Sequence, residues 1–294
     1  MIVITLSIAA GTMLLMAVIF SYILGWANKT FKVEVDPKIE SVIEALPGAN
    51  CGGCGYLGCS DYAVAIVTDD VPVNKCTVGG ESCAISIANI MGVEVGKTIP
   101  VRAIVHCGAH SGDRLQLTEY RGEKRCAAAH QVAGVQGCTF GCLGFGDCVR
   151  ACNYDAIHIV EGLATVNYEK CVGCGACSKV CPRDIISITG FQEDLIPTVA
   201  CSNKDKAKDA KAVCSAACVG CKACSKISDI FRITDNLSVC DYDHYSNTYA
   251  EEAIKAIEKC PTHCIQFIGK RVEQKMDVRG TISDLESEDL DRYM

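Results

Sequence analysis

Two cysteine runs set close together constrain this chain more than any other feature. CTFGCLGFGDCVRAC begins at Cys138 and CVGCGACSKVCP begins at Cys171. The second run reads C-x2-C-x2-C-x3-C-P. Three cysteines spaced two residues apart cannot all pair as disulfides without strain. Such a loop wraps its thiolates round an inorganic core, and its last cysteine reaches to the neighbouring core. The chain carries 23 Cys in 294 residues, so the same chemistry has to recur along it. Thiols kept free in this way imply a reducing compartment.

The two runs are copies of one unit. Cys148, Cys152, Ile157 and Ile159 align with Cys177, Cys181, Ile186 and Ile188 at a constant offset of 29 residues. Each half is a ligand loop, a short helix and a β segment, as in a two-cluster bacterial ferredoxin. The first half departs from the pattern. Its middle cysteine should stand where Phe145 is, and Cys138 is the obvious replacement. The expected ligands of one 4Fe-4S cluster are therefore Cys138, Cys142, Cys148 and Cys181. Those of the second are Cys152, Cys171, Cys174 and Cys177, the last ligand being exchanged between the halves.

A third copy starts at Cys218. Cys218, Cys221 and Cys224 align with Cys171, Cys174 and Cys177, and Ser228 stands where the fourth cysteine belongs. The partner triplet is missing too. In its place the pattern predicts a helix from Tyr249 to Lys259, opened by a Thr248–Glu251 capping box and ending at Cys260-Pro261. A half that lost its cluster lost both sources of ligand. The remaining cluster would use Cys218, Cys221, Cys224 and Cys260. Cys214, Cys218 and Cys221 also spell the C-x3-C-x2-C of radical S-adenosylmethionine enzymes. Cys224 continues the triplet, however, and no repeating β/α pattern surrounds it.

Upstream, Asp36-Pro37 opens a short helix with Ile39, Val42, Ile43 and Leu46 on one face. Pro47-Gly48 ends it. NCGGCGYLGC follows, so Cys51, Cys54 and Cys59 lie in a glycine-rich turn, with Cys76 further on. Glycines let the backbone aim N–H groups at sulfur. These four form a self-contained site for another cluster; zinc is the alternative for a bare C-x2-C. TIPVRAIVHC reads as a strand. Cys83, Cys107, Cys126, Cys201, Cys214, Cys240 and Cys264 take no place in this scheme, although Cys83, Cys107 and Cys126 are weighed as one further metal site. His106, His110 and His130 read as packing or surface residues.

Residues 2–25 carry no charge, enough for a membrane-crossing helix. Trp26, Lys29 and Lys32 follow, and no basic residue precedes the run, which puts the bulk of the chain on the cytoplasmic side. A cleaved signal peptide fits less well, because the run is long and lacks a basic start and a small-residue cleavage site.

The expected fold class is α+β: one transmembrane helix followed by small iron–sulfur modules. Expected domains are 1–27, the anchor; 28–92, the first four-Cys domain; 93–137, a mixed connecting segment; 138–192, a two-cluster ferredoxin-like domain; 193–270, a degenerate ferredoxin-like domain with one cluster; and 271–294, a polar tail. The net charge of −7 argues against nucleic acid as a partner. No nucleotide fingerprint, P-loop or hydrolytic triad is present, so the chain moves electrons and performs no bond chemistry alone.

The uncharged first helix, PGANCGGCGYLGCSDYA with Cys76, and the GCLGFGDCVRAC…CVGCGACSKVCP pair together resemble the RnfB family of the Rnf complex. The likeness spans roughly residues 1–190. It implies a subunit of a bacterial cell-membrane ferredoxin:NAD oxidoreductase, a translocase that couples electron flow to Na⁺ or H⁺ movement. It further implies soluble ferredoxin as electron partner, other Rnf subunits as neighbours, and NAD and FMN held by those neighbours. A membrane-anchored polyferredoxin serving another hydrogenase or reductase is the alternative.

Overall fold

A computed structural model of the chain describes residues 2–31 and 36–270. Lys32 and the expected tail at 271–294 lie outside the described residues.

The first helix, α1 (Ile2–Thr30), is apolar almost throughout, with a mean hydropathy of 2.1 over an 18-residue window within Ser7–Thr30. No residue of that stretch is buried by the rest of the protein. A helix this apolar with no packed face buries its side chains in something other than its own chain.

Three short helices form the next unit: α2 (Pro37–Ala45), α3 (Cys59–Thr68) and α4 (Gly80–Met91). Asp36 caps α2, its carboxylate accepting from the Lys38 N–H at 2.8 Å. Ile39, Val42 and Leu46 are buried against Tyr62, Ile66 and Ile87, the stripe read from the sequence. Tyr62 is pinned at its tip as well. Its hydroxyl donates to the Pro72 carbonyl at 2.7 Å and accepts from the Lys75 N–H at 3.1 Å.

Beyond residue 100 one topology occurs twice. In the first unit β1 (Val101–Val105) comes first, then the short helices α5 (Cys126–His130) and α6 (Asp147–Arg150). The hairpin β2 (Ile157–Val160) and β3 (Leu163–Val166) follows, then α7 (Ala176–Lys179) and β4 (Ile186–Gly190), which returns to pair antiparallel with β1. In the second unit β5 (Leu195–Val199) leads. Helix α8 (Ala207–Val213), the hairpin β6 (Phe231–Thr234) and β7 (Leu237–Cys240), and α9 (Ala250–Lys259) follow, and β8 (Ile265–Gly269) pairs back onto β5. Both hairpins turn through two left-handed residues, Glu161-Gly162 (φ 47° and 79°) and Asp235-Asn236 (φ 49° and 62°). That is the primed turn matching the right-handed twist of the flanking strands.

The segment 93–137, expected as a connector, supplies β1 and α5 to the first unit. Helix α9 occupies the place that the triplet and α7 take in the first unit, as the sequence predicts. The expected capping box does not form: Tyr249 stands at the N-cap, and the Thr248 hydroxyl bonds Ser246 at 2.7 Å instead. A 3-10 turn over Asn247–Tyr249 leads into the helix and takes Thr248 away from the capping position.

Candidate metal centres

The thiols gather into sets, each built by a ligand loop and a distant cysteine. In the first set, Asn50 closes the Cys51–Cys59 loop, its side-chain carbonyl accepting from the Cys59 N–H at 2.8 Å. The Gly53 N–H donates to Cys51 Sγ at 3.4 Å and the Gly79 N–H to Cys76 Sγ at 3.3 Å. Cys54, Cys59 and Cys76 pack on the same small core as Cys83. Cys83 donates to the Ala45 carbonyl at 3.3 Å and stands beside Cys76, and its thiol holds the Cys76 thiol down at about 6.

In the second set, Cys152, Cys171, Cys174 and Cys177 line one cavity of about 320 Å³, open mouth included. The Ala103 N–H points at Cys171 Sγ at 3.5 Å and the Ala156 N–H at Cys152 Sγ at 3.4 Å. Gly173 has a left-handed φ of 67°, and a Cβ there would run into the Val101 carbonyl. The loop thus lies flat on β1.

The third set differs from the sequence expectation. Its cavity, about 360 Å³, is lined by Cys142, Cys148, Cys181 and Cys126. Cys138 is not among its walls; it lines another cavity with Cys107, Cys201 and Cys214. The cause is the residue at the missing middle position. Phe145 packs on Tyr120 in a tilted contact, ring centroids 5.3 Å apart and planes 51° from parallel, and lies with Leu143 against Cys126 and Ala129 of α5. This aromatic contact seats α5 over the loop and presents Cys126 where the middle cysteine would be. Cys126 stands alone in the sequence, outside any motif. The usable signal is a cysteine opening a short Ala-rich helix upstream of a gap in the triplet.

In the last of the expected sets, Cys218, Cys221, Cys224 and Cys260 line a cavity of about 310 Å³ together with Cys264. Cys264 aligns with Ile185 of the first unit, where the sequence suggests only a packing role. Its Sγ lies 3.6 Å from Cys260 Sγ. Its thiol holds the Cys260 and Cys218 thiolates below the usual range. Ser228 is buried where the fourth cysteine would be.

Burial pushes the thiols of Cys142, Cys148 and Cys177 up to about 11, 12 and 11. Bare thiolates are costly in such walls, and they ionise when a cationic core draws off the proton. The thiols stand round cavities rather than meeting at a point. Among the described residues, no three His, Cys, Asp or Glu side chains are placed to hold a single metal ion. Sets of four or more thiols round one cavity, with N–H groups aimed at sulfur, fit iron–sulfur cores.

The sets are close to one another. Lys179 Nζ donates to the Cys51 carbonyl at 3.2 Å, joining the first loop to the second. α6 and α7 carry Cys148 and Cys177 from adjacent sets into one core.

Comparison with known proteins agrees with this chemistry. Residues 46–78 match the family described as "Putative Fe-S cluster", and residues 164–187 match the "4Fe-4S binding domain". The chain is 40% identical over 262 residues to the B subunit of the Na(+)-translocating ferredoxin:NAD(+) oxidoreductase complex of Acetobacterium woodii, covering 88% of this chain and 77% of that one. It is 34% identical over 261 residues to the B subunit of the proton-translocating ferredoxin:NAD(+) oxidoreductase complex of Clostridium ljungdahlii, covering 87% and 90%. Identity to the B subunit of the ion-translocating oxidoreductase complex of Methanosarcina acetivorans is 38% over 190 residues, 64% of this chain and 71% of that one. With identity at this level over most of both chains, the protein belongs to the family of B subunits of the ion-translocating oxidoreductase complexes.

Proposed function

We propose that this chain is the electron-transferring subunit of a membrane complex that couples electron flow between ferredoxin and NAD to Na⁺ or H⁺ translocation. The observation that carries the reading is the succession of thiol-lined cavities in loops that touch one another. When bound, 4Fe-4S clusters take up and give back single electrons, at potentials set by burial, charge and hydrogen bonds to sulfur. The residues of this chain hold them and tune them.

The ligand sets are Cys51, Cys54, Cys59 and Cys76; Cys152, Cys171, Cys174 and Cys177; Cys126, Cys142, Cys148 and Cys181; and Cys218, Cys221, Cys224 and Cys260. Residues 93–192 act as one two-cluster unit and residues 193–270 as the shorter one. Helix α1 crosses the membrane once, with the cluster-bearing bulk on the cytoplasmic side, where Lys29 follows the apolar run. Other subunits of the complex dock beside it and hold NAD and flavin, and soluble ferredoxin exchanges electrons with it.

Reconstituting the complex with and without this chain tests the proposal. Ferredoxin-dependent NAD reduction should vanish without it. Undiminished activity, or co-purification with the subunits of a hydrogenase instead, would refute the assignment.

A further inference from the structure

Four thiols left over from the loop motifs meet at one place. Cys107 follows β1, Cys138 precedes α6, Cys201 follows β5 and Cys214 ends α8. They line a cavity of about 320 Å³, the same size as the motif-built ones. Three of the four are buried and Cys201 nearly so. Much of the remaining wall is small, with Ala109, Ala200, Ala216, Ala217 and Gly141 leaving the space open.

The cavity has the sulfur-directed donors of a cluster site. The Cys142 N–H points at Cys107 Sγ at 3.5 Å. Cys201 Sγ accepts from the N–H groups of Asn203 and Cys218 at 3.4 and 3.2 Å. The Asn203 side chain, 1% exposed, directs its amide at Cys138 Sγ at 3.7 Å. A buried amide aimed at a sulfur is expensive to leave without an electron-rich partner. Arg114 also lines the cavity, held by the carbonyls of His110 and Gly162 at 3.2 and 2.9 Å, and supplies a positive charge beside the thiols. Among the described residues, no carboxylate lines it.

We propose that Cys107, Cys138, Cys201 and Cys214 bind a fifth 4Fe-4S cluster, which joins the two-cluster unit to the shorter one. The inference rests on reading the other thiol sets as cluster sites. Its position gives it a purpose. Two of its N–H donors belong to Cys142 and Cys218, which are themselves ligands of the cavities on either side. One electron leaves a reduced neighbouring cluster, reduces this one, and passes to the cluster beyond. Each donor is oxidised by one electron, each acceptor is reduced by one, and no bond or proton moves. No contiguous motif marks the site, because its ligands come from four separate segments.

Iron and acid-labile sulfide per chain, measured on the full-length protein purified anaerobically in detergent, test this. Five four-thiolate sites hold about 20 iron atoms and four such sites about 16, at four per site. The expected wild-type value is the higher one, and it does not depend on any variant folding. Cys201→Ser and Cys214→Ser should each lose about four irons, and the double variant no more than either alone, since one shared site accounts for both. Cys240→Ser, buried outside the thiol cavities, should lose none. About 16 irons in the wild type, with both variants unchanged, overturns the fifth site and leaves the other four standing. A preparation with zinc in place of iron overturns the wider reading along with it.

Discussion

The main-chain N–H of Ala127 donates to Oδ2 of Asp147 across 2.9 Å. The carboxylate is 6% exposed, pairs with Arg150, and has Arg125 Nε at 3.7 Å. Asp147 therefore ties the first turn of α5, which carries Cys126, to the loop that carries Cys142 and Cys148. Asp147→Ala leaves that N–H unpaired, at a cost of about 1–3 kcal/mol, and unseats Cys126. The expected result is loss of about four irons, the content of one such site, with lower stability to denaturant. Asp147→Asn keeps an acceptor and should restore the iron. Full iron content in the alanine variant would show that α5 needs no such tie.

Phe145 occupies the position that Cys221 holds in the shorter unit. Cys126→Ala should lose one cluster. Adding Phe145→Cys to it should recover that cluster, because the middle ligand then returns to the loop. Iron counting on the single and double variants decides this; no recovery would mean that a thiol at position 145 does not reach the cavity of Cys142, Cys148 and Cys181.

Cys264 Sγ stands 3.6 Å from Cys260 Sγ, and we predict that it serves as a thiol donor while Cys260 is the ligand. Cys264→Ala should keep every iron and lower the midpoint potential of that cluster, since removing a donor to sulfur favours the oxidised state. A hydrogen bond worth about 1 kcal/mol corresponds to roughly 40 mV for one electron. Cys260→Ala should instead cost iron. Potentiometric titration with iron analysis separates the two roles, and the opposite pattern would exchange them.

Gly220 adopts φ +59°, and a Cβ there would lie 2.5 Å from the Asn236 carbonyl oxygen. Gly144 meets the Gly162 carbonyl in the same way in the first unit. The Cys142 and Cys218 loops therefore each rest on the turn of the hairpin that follows them. Gly220→Ala should destabilise the protein by about 1–3 kcal/mol and deplete the cluster of Cys218, Cys221 and Cys224. Chemical denaturation at unchanged iron loading would count against this.

The legible parts of the sequence were those encoded in short stretches. Asp36-Pro37 specified its helix start, TIPVRAIV its strand, and α9 its span to within a residue, because caps and periodicity act over a turn or two. The Cys171 loop carries its own thiols and glycines, so its cavity was foreseeable. The partner of Cys142 and Cys148 was not, because the choice between Cys126 and Cys138 depends on Phe145 packing against Tyr120. That contact leaves no local mark. Thr248 and Glu251 had the right spacing for a capping box, yet the 3-10 turn before α9 turned Thr248 toward Ser246. The cavity of Cys107, Cys138, Cys201 and Cys214 exists only once both units are folded together.

The strand pairs β1–β4 and β5–β8 show that each unit closes on a strand supplied from its own upstream end. Neither has to borrow a strand from the other. A further copy joined in the same way would bring both of its closing strands with it and leave the strand pairs of the earlier copies unbroken.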